Sequence, residues 1–83
     1  MTDVKLLTEP TNYAIVQLPQ RKFPGVVFQG DSLNNFIGDL EAAASETDPL
    51  QKSAALADVI ERLHGIREHY EAVLDRAGIG RPY

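Results

Sequence analysis

The sequence predicts an α+β fold, in which a two- or three-stranded antiparallel sheet is followed by an antiparallel helical hairpin with a long C-terminal helix. Short β-forming runs bounded by proline and glycine fill residues 4–29. Beyond them, apolar residues recur every three or four positions, as in amphipathic helices. The connection between the two helical segments is short, which makes the helices antiparallel neighbours. We expect one domain over residues 1–83, with helices at about 32–46 and 49–77.

Three strands are predicted in order. The first covers residues 4–8 and is followed by a turn at 9–12, where proline and asparagine favour chain reversal. The second covers residues 13–18, which are rich in β-formers, and a proline ends it. The polar segment 20–22 then forms the tip of a hairpin-like connection. The third strand covers residues 25–29 and leads directly into a helix.

The first helix is predicted to begin at the Gly30-Asp31-Ser32 segment. The side-chain oxygen of Asp31 or Ser32 is suited to accept an unpaired backbone N–H of the first turn, so either residue is an expected N-cap. The helix should end near residues 45–47. Its expected apolar face, hidden in the fold, consists of Leu33, Phe36, Ile37, Leu40, Ala43 and Ala44.

The second helix has clear signals at both ends. Asp48 is an expected N-cap, Pro49 suits the first helical position, and Gln51 stands at the capping-box position. Gly78 fits the left-handed position just after the helix. The following apolar residue, Ile79, is then expected to contact the last turn of the helix, as in a Schellman motif.

An apolar stripe with a seven-residue repeat runs along the second helix. The helix is longer than its predecessor, so part of the stripe must meet the sheet or another subunit. Gly65 interrupts it and indicates either close approach of another backbone, a bend, or a tolerated imperfection. Among the aromatic residues, Phe28, Phe36 and Tyr70 are expected in the core. The stripe consists of Leu56, Val59, Ile60, Leu63, Ile66, Tyr70, Val73, Leu74 and Ala77.

Charge is distributed unevenly along the chain. Residues 1–30 hold three basic and two acidic residues, giving +1, whereas residues 31–83 hold five basic and ten acidic residues, giving −5. The helical part should therefore repel nucleic acid phosphates. The absence of cysteine excludes disulfides and thiolate metal sites. No apolar run is long enough for a signal peptide or a membrane span, so we expect a cytoplasmic protein that binds neither nucleic acid nor membrane.

The strand-to-helix junction at residues 29–33 is the main candidate binding site. Free N–H groups and the positive end of the helix dipole suit phosphate or carboxylate there. An ordinary helix cap is the alternative interpretation of the same residues. Nearby basic residues would add charge, and nearby aromatic residues would stack on a base. The candidate ligand-binding residues are Tyr13, Arg21, Lys22, Phe23, Gly30, Asp31 and Ser32.

Two catalytic or metal alternatives are weaker. Glu61, His64 and Glu68 share one helix face and resemble half of a di-metal carboxylate site, but the first helix supplies no second half. A solvated charged face with i,i+4 pairing is the favoured interpretation of these residues. Ser32 with His64 or His69 provides a triad in composition only, since no nucleophile elbow surrounds the serine. We therefore expect no enzymatic activity, no cofactor and no metal.

One segment resembles a known family. Pro24-Gly25, Gln29-Gly30-Asp31-Ser32-Leu33 and Leu40-Glu41-Ala42 resemble the central signature of HicB-type antitoxins over about residues 18–44. The resemblance implies a partial ferredoxin-like sheet and binding to a protein partner, such as a ribonuclease toxin. DNA binding is not implied, because the long helix stands where that family usually carries its DNA-binding region. The wider segment 7–33 also resembles small uncharacterised bacterial proteins.

Two functions therefore remain open. The first is a non-catalytic binding module of bacterial or phage origin that sequesters or neutralises a partner protein, for which an acidic surface would suit a basic partner. The second is a small-ligand binder, or sponge, for a phosphate-bearing nucleotide signal of bacterial or phage anti-defence type. Both favour a homo-oligomer, built on the stripe of the second helix or on the exposed edge of the strand at 13–18.

Overall fold

The computed structural model describes residues 3–9 and 12–83 and confirms the predicted α+β fold. Residues 10 and 11 of the predicted first turn lie outside the described residues. Three short antiparallel strands come first and two helices follow. The elements are β1 (Lys5–Leu6), β2 (Ile15–Gln17), β3 (Gly25–Val26), α1 (Gly30–Ser45) and α2 (Pro49–Ala77).

The sheet has the order β1-β2-β3, with β2 in the centre. Leu6 pairs with Val16 on one side, and Val16 pairs with Gly25 on the other. The strands are shorter than predicted. At one end of the β1–β2 pair a side chain replaces a backbone partner, since the backbone N–H of Ile15 donates to the Thr8 hydroxyl at 3.0 Å.

The core lies where the C-terminal third of α2 crosses the sheet. Ile15 and Leu74 are fully buried there, together with Tyr70 and Val73. The Tyr70 hydroxyl donates to the Pro24 carbonyl at 2.8 Å, which satisfies a buried polar group at the centre of the packing. The part of the stripe that extends beyond α1 therefore meets the sheet. This contact is one of the two that the sequence predicted, the other being a contact with another subunit.

The start of α2 confirms two of its three predicted signals. The carboxylate of Asp48 accepts from the Leu50 N–H at 2.9 Å, and Pro49 occupies the first turn. The capping-box role predicted for Gln51 is wrong. Glu46, which precedes Asp48 by two residues, accepts from the Asp48 N–H at 3.0 Å instead. This N–H is therefore not available to Gln51.

The end of α2 is the predicted Schellman motif. Gly78 has φ of 71°, in the left-handed region that glycine adopts without steric cost. The Ile79 N–H donates to the Leu74 carbonyl at 2.9 Å, and the Gly78 N–H donates to Asp75 at 3.2 Å. Ile79 packs against the core cluster that contains Leu74, as the motif predicts.

The predicted N-cap of α1 is wrong. The helix begins two residues earlier, and Gln29 is the N-cap with no side-chain cap hydrogen bond. The reason is that the Gln29 carbonyl already accepts the first helical bond, from the Leu33 N–H at 2.9 Å. Asp31 lies inside the first turn, where its carboxylate accepts from the Ser32 N–H at 2.8 Å and complements the helix dipole.

The apolar face predicted for α1 is not hidden. Phe36 and Ala43 are buried, but the remaining members of the face are exposed. Phe28, predicted in the core, is 39% exposed because β3 ends at Val26 and the chain leaves the sheet before reaching it. The described chain is elongated, with extents of 51 × 23 × 20 Å and a radius of gyration of 15.7 Å. A compact domain of this length has a radius of about 12 Å.

Candidate functional site

The residues predicted to bind a ligand at the strand-to-helix junction lie in three separate places. Lys22 and Phe23 are together in the β2–β3 connection, with the Lys22 ammonium 5.3 Å from the Phe23 ring centroid. In the same connection, the Arg21 carbonyl accepts from the Gln17 side chain at 2.7 Å. The first turn of α1 contains Gly30, Asp31 and Ser32. Within residues 3–9 and 12–83, no hydrogen bond or ion pair joins that turn to the basic connection.

Tyr13 lies apart from the other six predicted residues, in an aromatic cluster. Its ring centroid is 5.4 Å from Phe28 and 6.4 Å from Phe36, with tilted or edge-to-face geometry typical of favourable aromatic pairs. Its φ of 62° is uncommon for a bulky residue and directs the chain sharply into β2. Of the seven predicted residues, Tyr13 alone lines either of the two cavities described below.

The first cavity, which we call the aromatic pocket, has a volume of about 410 Å³. This volume falls in the range of small-molecule sites. It opens between the β1–β2 connection, α1 and α2. The Gly65 position of α2 helps to keep it open, since a Cβ added there would meet no atom within 4 Å. The predicted close approach of another backbone to Gly65 is therefore wrong within the chain. The pocket is lined by Asn12, Tyr13, Phe36, Arg62, Gly65, Ile66 and His69.

Arg62 is the charged group of the aromatic pocket, and its charge is already paired. Its guanidinium is 2.7 Å from Asp39 and 3.3 Å from Asp58, and it lies 4.9 Å from the centroid of the Phe36 ring. The hydrogen bond that the Arg62 guanidinium donates to the Asp39 carboxylate raises the pKa of Arg62 above its usual value. Two carboxylates next to one guanidinium make the pocket better suited to a stacked planar ring than to a bare anion.

A second surface feature is an uncovered apolar face on the helical hairpin, which we call the open face. Each helix contributes three large aliphatic side chains at positions i, i+4 and i+7, so each set forms one row. All six are between 37% and 52% exposed. The open face consists of Leu33, Ile37 and Leu40 on α1 and Leu56, Ile60 and Leu63 on α2.

Both rows of the open face project from the same side of the hairpin. Asp39 of α1 and Arg62 of α2 form their ion pair on one flank. Helical spacing puts Asp39 and Leu40 on either side of the buried Phe36, and it puts Arg62 and Leu63 on either side of the buried Val59. Phe36 and Val59 face the neighbouring helix, so Leu40 and Leu63 lie on the flank opposite the ion pair. The aromatic pocket and the open face therefore lie on opposite sides of the hairpin.

The open face continues into a second cavity near the sheet, with a volume of about 400 Å³. Leu63 belongs to both. The C-terminal segment forms one wall, and it is held on α2 by Arg81, which is 2.9 Å from Asp75, and by the Tyr83 hydroxyl, which donates to Glu71 at 2.9 Å. The lining residues are Pro24, Gly25, Val26, Phe28, Leu63, Ile66, Arg67, Tyr70, Pro82 and Tyr83.

The titratable groups do not assemble into a metal centre in the described part of the chain. There, no three histidine, aspartate or glutamate side chains come together as a metal site requires, including Glu61, His64 and Glu68. Burial raises the pKa of Tyr70, whose hydroxyl is committed to the Pro24 carbonyl. Neither described helix combines the length and apolar content that a membrane span needs.

Sequence reasoning missed both surfaces for different reasons. The Arg62–Asp58 pair is visible as an i,i+4 spacing, but the Arg62–Asp39 pair joins residues 23 positions apart and has no sequence signal. Leu33 and Ile37 were recognised as apolar, but periodicity does not reveal whether a neighbour covers them.

The fold and these surfaces define a class of protein, namely a small α+β protein whose helical hairpin carries an uncovered apolar face. The chain belongs to the family described as "Family of unknown function (DUF6959)", whose model matches residues 1–83. No curated protein and no solved structure matches the chain.

Proposed function

We propose that this protein is a non-catalytic binding module that sequesters or neutralises a partner protein, and that the partner docks an apolar surface on the open face. The open face is the observation that carries the proposal. Six large aliphatic side chains, each roughly half exposed, lie together on one side of a helical hairpin. Contiguous exposed apolar surface of this kind marks interaction sites in proteins more often than it marks free surface.

The total surface area supports the same conclusion. The accessible surface of the chain is 6048 Å². A monomer of 9.2 kDa is expected to expose about 4,900 Å². The excess is about 1,100 Å², which is comparable with the roughly 800 Å² that each partner buries in a standard interface. The elongated hairpin thus exposes surface that a compact domain of this mass would bury.

Covering the open face would offset a large part of the free-energy cost of association. Full burial of a leucine or isoleucine contributes about 1.5–3 kcal/mol, so completing the burial of six half-exposed side chains contributes roughly 4–9 kcal/mol. Association itself costs about 4–15 kcal/mol. A stable complex therefore also needs contacts in the adjacent cavity and at the polar rim.

The antitoxin-like character of the proposal is supported by the HicB resemblance and by charge. The resemblance covers about residues 18–44 and implies a protein partner such as a toxin. Residues 31–83, which carry both rows of the open face, hold ten acidic against five basic residues. An acidic rim around an apolar centre would favour a basic partner such as a nuclease and would increase its association rate.

Capture of the partner tests the proposal. A tagged full-length chain is incubated with lysate of the native host, bound proteins are identified by mass spectrometry, and the purified partner is then titrated against the chain. We expect Leu63→Glu to weaken the purified complex at least 100-fold, since it places a charge in the apolar centre. Leu50→Glu is the matched control, because Leu50 is 83% exposed on the same helix but outside the open face.

Equal affinities of the Leu63→Glu and Leu50→Glu variants for the purified partner would contradict the use of the open face. Failure to recover any protein that binds the purified chain would contradict the proposed function itself. Circular dichroism of each variant checks that the helices are retained, so that lost binding is not lost folding.

The aromatic pocket favours a second candidate function, the binding of a phosphate-bearing nucleotide. The pocket has about 410 Å³ and is lined by the rings of Tyr13 and Phe36, on which a nucleobase would stack. Its own charged group, Arg62, is paired with Asp39 and Asp58. The phosphates would therefore depend on basic residues outside the pocket lining. Arg21 and Lys22 are the ones predicted for this role, but they lie in the β2–β3 connection and do not line the pocket.

Calorimetry with a panel of nucleotides tests this candidate. We expect binding to be lost in Gly65→Leu, whose side chain would fill the pocket. Binding should weaken in the double variant Arg21→Ala plus Lys22→Ala. If a nucleotide binds equally to wild type and to Gly65→Leu, the pocket is not its site; if the double variant binds normally, the phosphate assignment is wrong.

A further inference from the structure

We infer that, when no heterologous partner is bound, a second copy of this protein covers the open face, so that two helical hairpins pack face to face around a two-fold axis as a four-helix bundle, and that the partner binds by displacing this copy. The inference rests on the proposed function, because it takes the open face to be a protein-binding surface. It adds the occupant of that face in the free protein and the symmetry of the resulting dimer.

The geometry of the open face makes it self-complementary. The Asp39–Arg62 ion pair marks the register of the two helices. In this register Leu40 lies near the level of Ile60 on the neighbouring helix, so the face consists of two adjacent rows. A two-fold rotation can place one row of each copy between the two rows of the other, which is the packing of ridges into grooves found in bundles.

The charge pattern permits self-association even though each copy has a net charge of −4. No acidic residue belongs to either row of the open face. Asp39 points to the opposite flank and is paired there with Arg62. Arg67, a basic residue, lines the second cavity together with Leu63 of the face. Glu41 follows Ile37 by one turn and borders the α1 row, where it is exposed. Two like copies can therefore meet on the rows themselves while Glu41 stays at the rim.

The area is sufficient for a dimer of this kind. The excess surface of each chain, about 1,100 Å² over a typical monomer of this mass, exceeds the roughly 800 Å² per partner of a standard interface. A second copy would supply an equal excess. Both chains would then approach the exposed area expected for compact proteins, which a small partner that covers only the six side chains would not achieve.

Sedimentation equilibrium of the untagged full chain between about 1 and 100 μM tests the inference. We expect a mass of twice the chain's 9.2 kDa at the upper concentrations. Ile60→Glu, at the centre of the face, should weaken dimerisation at least 100-fold and leave a monomer with helical circular dichroism. Leu50→Glu, outside the face on the same helix, should keep the wild-type mass.

Because the chain lacks cysteine, a second readout comes from single-cysteine variants with a spin label. Labels at Leu40→Cys in the two copies should be close enough to broaden each other's spectra, and labels at Leu50→Cys should not. A monomeric mass at 100 μM, or a dimer that survives Ile60→Glu, would overturn the inference. The proposed function would survive a monomeric mass if a purified heterologous partner still distinguished Leu63→Glu from Leu50→Glu.

Discussion

The two parts of α2 share one sequence pattern and have opposite environments. In the C-terminal third, Tyr70, Val73 and Leu74 are buried against the sheet. In the middle of the same helix, Ile60 and Leu63 continue the seven-residue repeat and remain about half exposed. The residue types do not differ in kind, so the difference comes from what lies opposite. At the C-terminal end it is a sheet, whereas beside Ile60 it is the edge of a single short helix.

An apolar stripe predicts that one side of a helix will be packed, but it does not identify the element that packs on it. α1 has 16 residues and α2 has 29, so α1 cannot cover the whole stripe. What α1 covers is the flank that contains Val59, while its own Ile37 stays uncovered on the other flank. The hairpin is consequently half of a bundle, attached to a sheet that completes only its far end.

The largest expected effect is a difference in the free energy of unfolding between substitutions in the two parts of α2. Leu74→Ala, at a fully buried position, should destabilise the chain by about 2–5 kcal/mol, because it removes apolar contacts and leaves a cavity. Ile60→Ala, at a position that is 52% exposed, should cost roughly 1 kcal/mol or less in the monomer. Urea unfolding of both variants at low protein concentration, followed by circular dichroism, measures the difference. Equal losses would mean that the open face is already covered within the chain.

The next effect concerns the buried hydrogen bond that joins α2 to the sheet. Tyr70→Phe removes the donor of the 2.8 Å bond to the Pro24 carbonyl and leaves that acceptor buried and unpaired. We expect a loss of about 1–3 kcal/mol in the same urea assay. Tyr83→Phe is a matched control, since its hydroxyl bonds Glu71 at the exposed C-terminal segment and should contribute much less.

The pH dependence of stability also distinguishes the buried C-terminal third of α2 from its exposed middle. Burial raises the pKa of Tyr70 in the folded chain above its usual value of 10.0. The unfolded chain therefore loses this proton first as pH rises, and the folded state binds more protons. The stabilisation from Tyr70 should be fully present below pH 10.0 and should be lost as pH rises through the raised pKa. Urea midpoints of wild type and Tyr70→Phe should converge there, and parallel curves would contradict the assignment.

The smallest expected effects are changes in stability on substitution of two glycines by alanine, and the two changes have opposite signs. Gly78→Ala should destabilise by about 1 kcal/mol, because φ of 71° is unfavourable for a residue with a Cβ. Gly65→Ala should stabilise by up to about 1 kcal/mol, because Gly65 is inside α2 and an added Cβ would meet no atom within 4 Å. Thermal unfolding of both variants measures the signs. If Gly65→Ala instead destabilises the protein, another backbone approaches this position. Such an approach is one of the three interpretations that the sequence suggested for Gly65.

The sequence predicted the local features well because their causes are local. The N-cap at Asp48, the proline in the first turn and the left-handed Gly78 each depend on a few neighbouring residues, and all three are confirmed. Which of several nearby groups satisfies a given helix-end N–H was not predictable. Glu46 rather than Gln51 occupies the Asp48 N–H, and α1 begins at Gly30 without help from the predicted caps, because backbone position decides which donor is already used.

By itself, the sequence determined the order of strands and helices, the ends of the long helix and the apolar stripe along it, because propensity, capping and periodicity act within one or two turns. Only the tertiary structure decided which part of the stripe is covered. It also brought Asp39 to Arg62 and opened the aromatic pocket between distant segments. Burial depends on what lies across a surface, and no spacing along the chain encodes whether that neighbour is part of the same molecule.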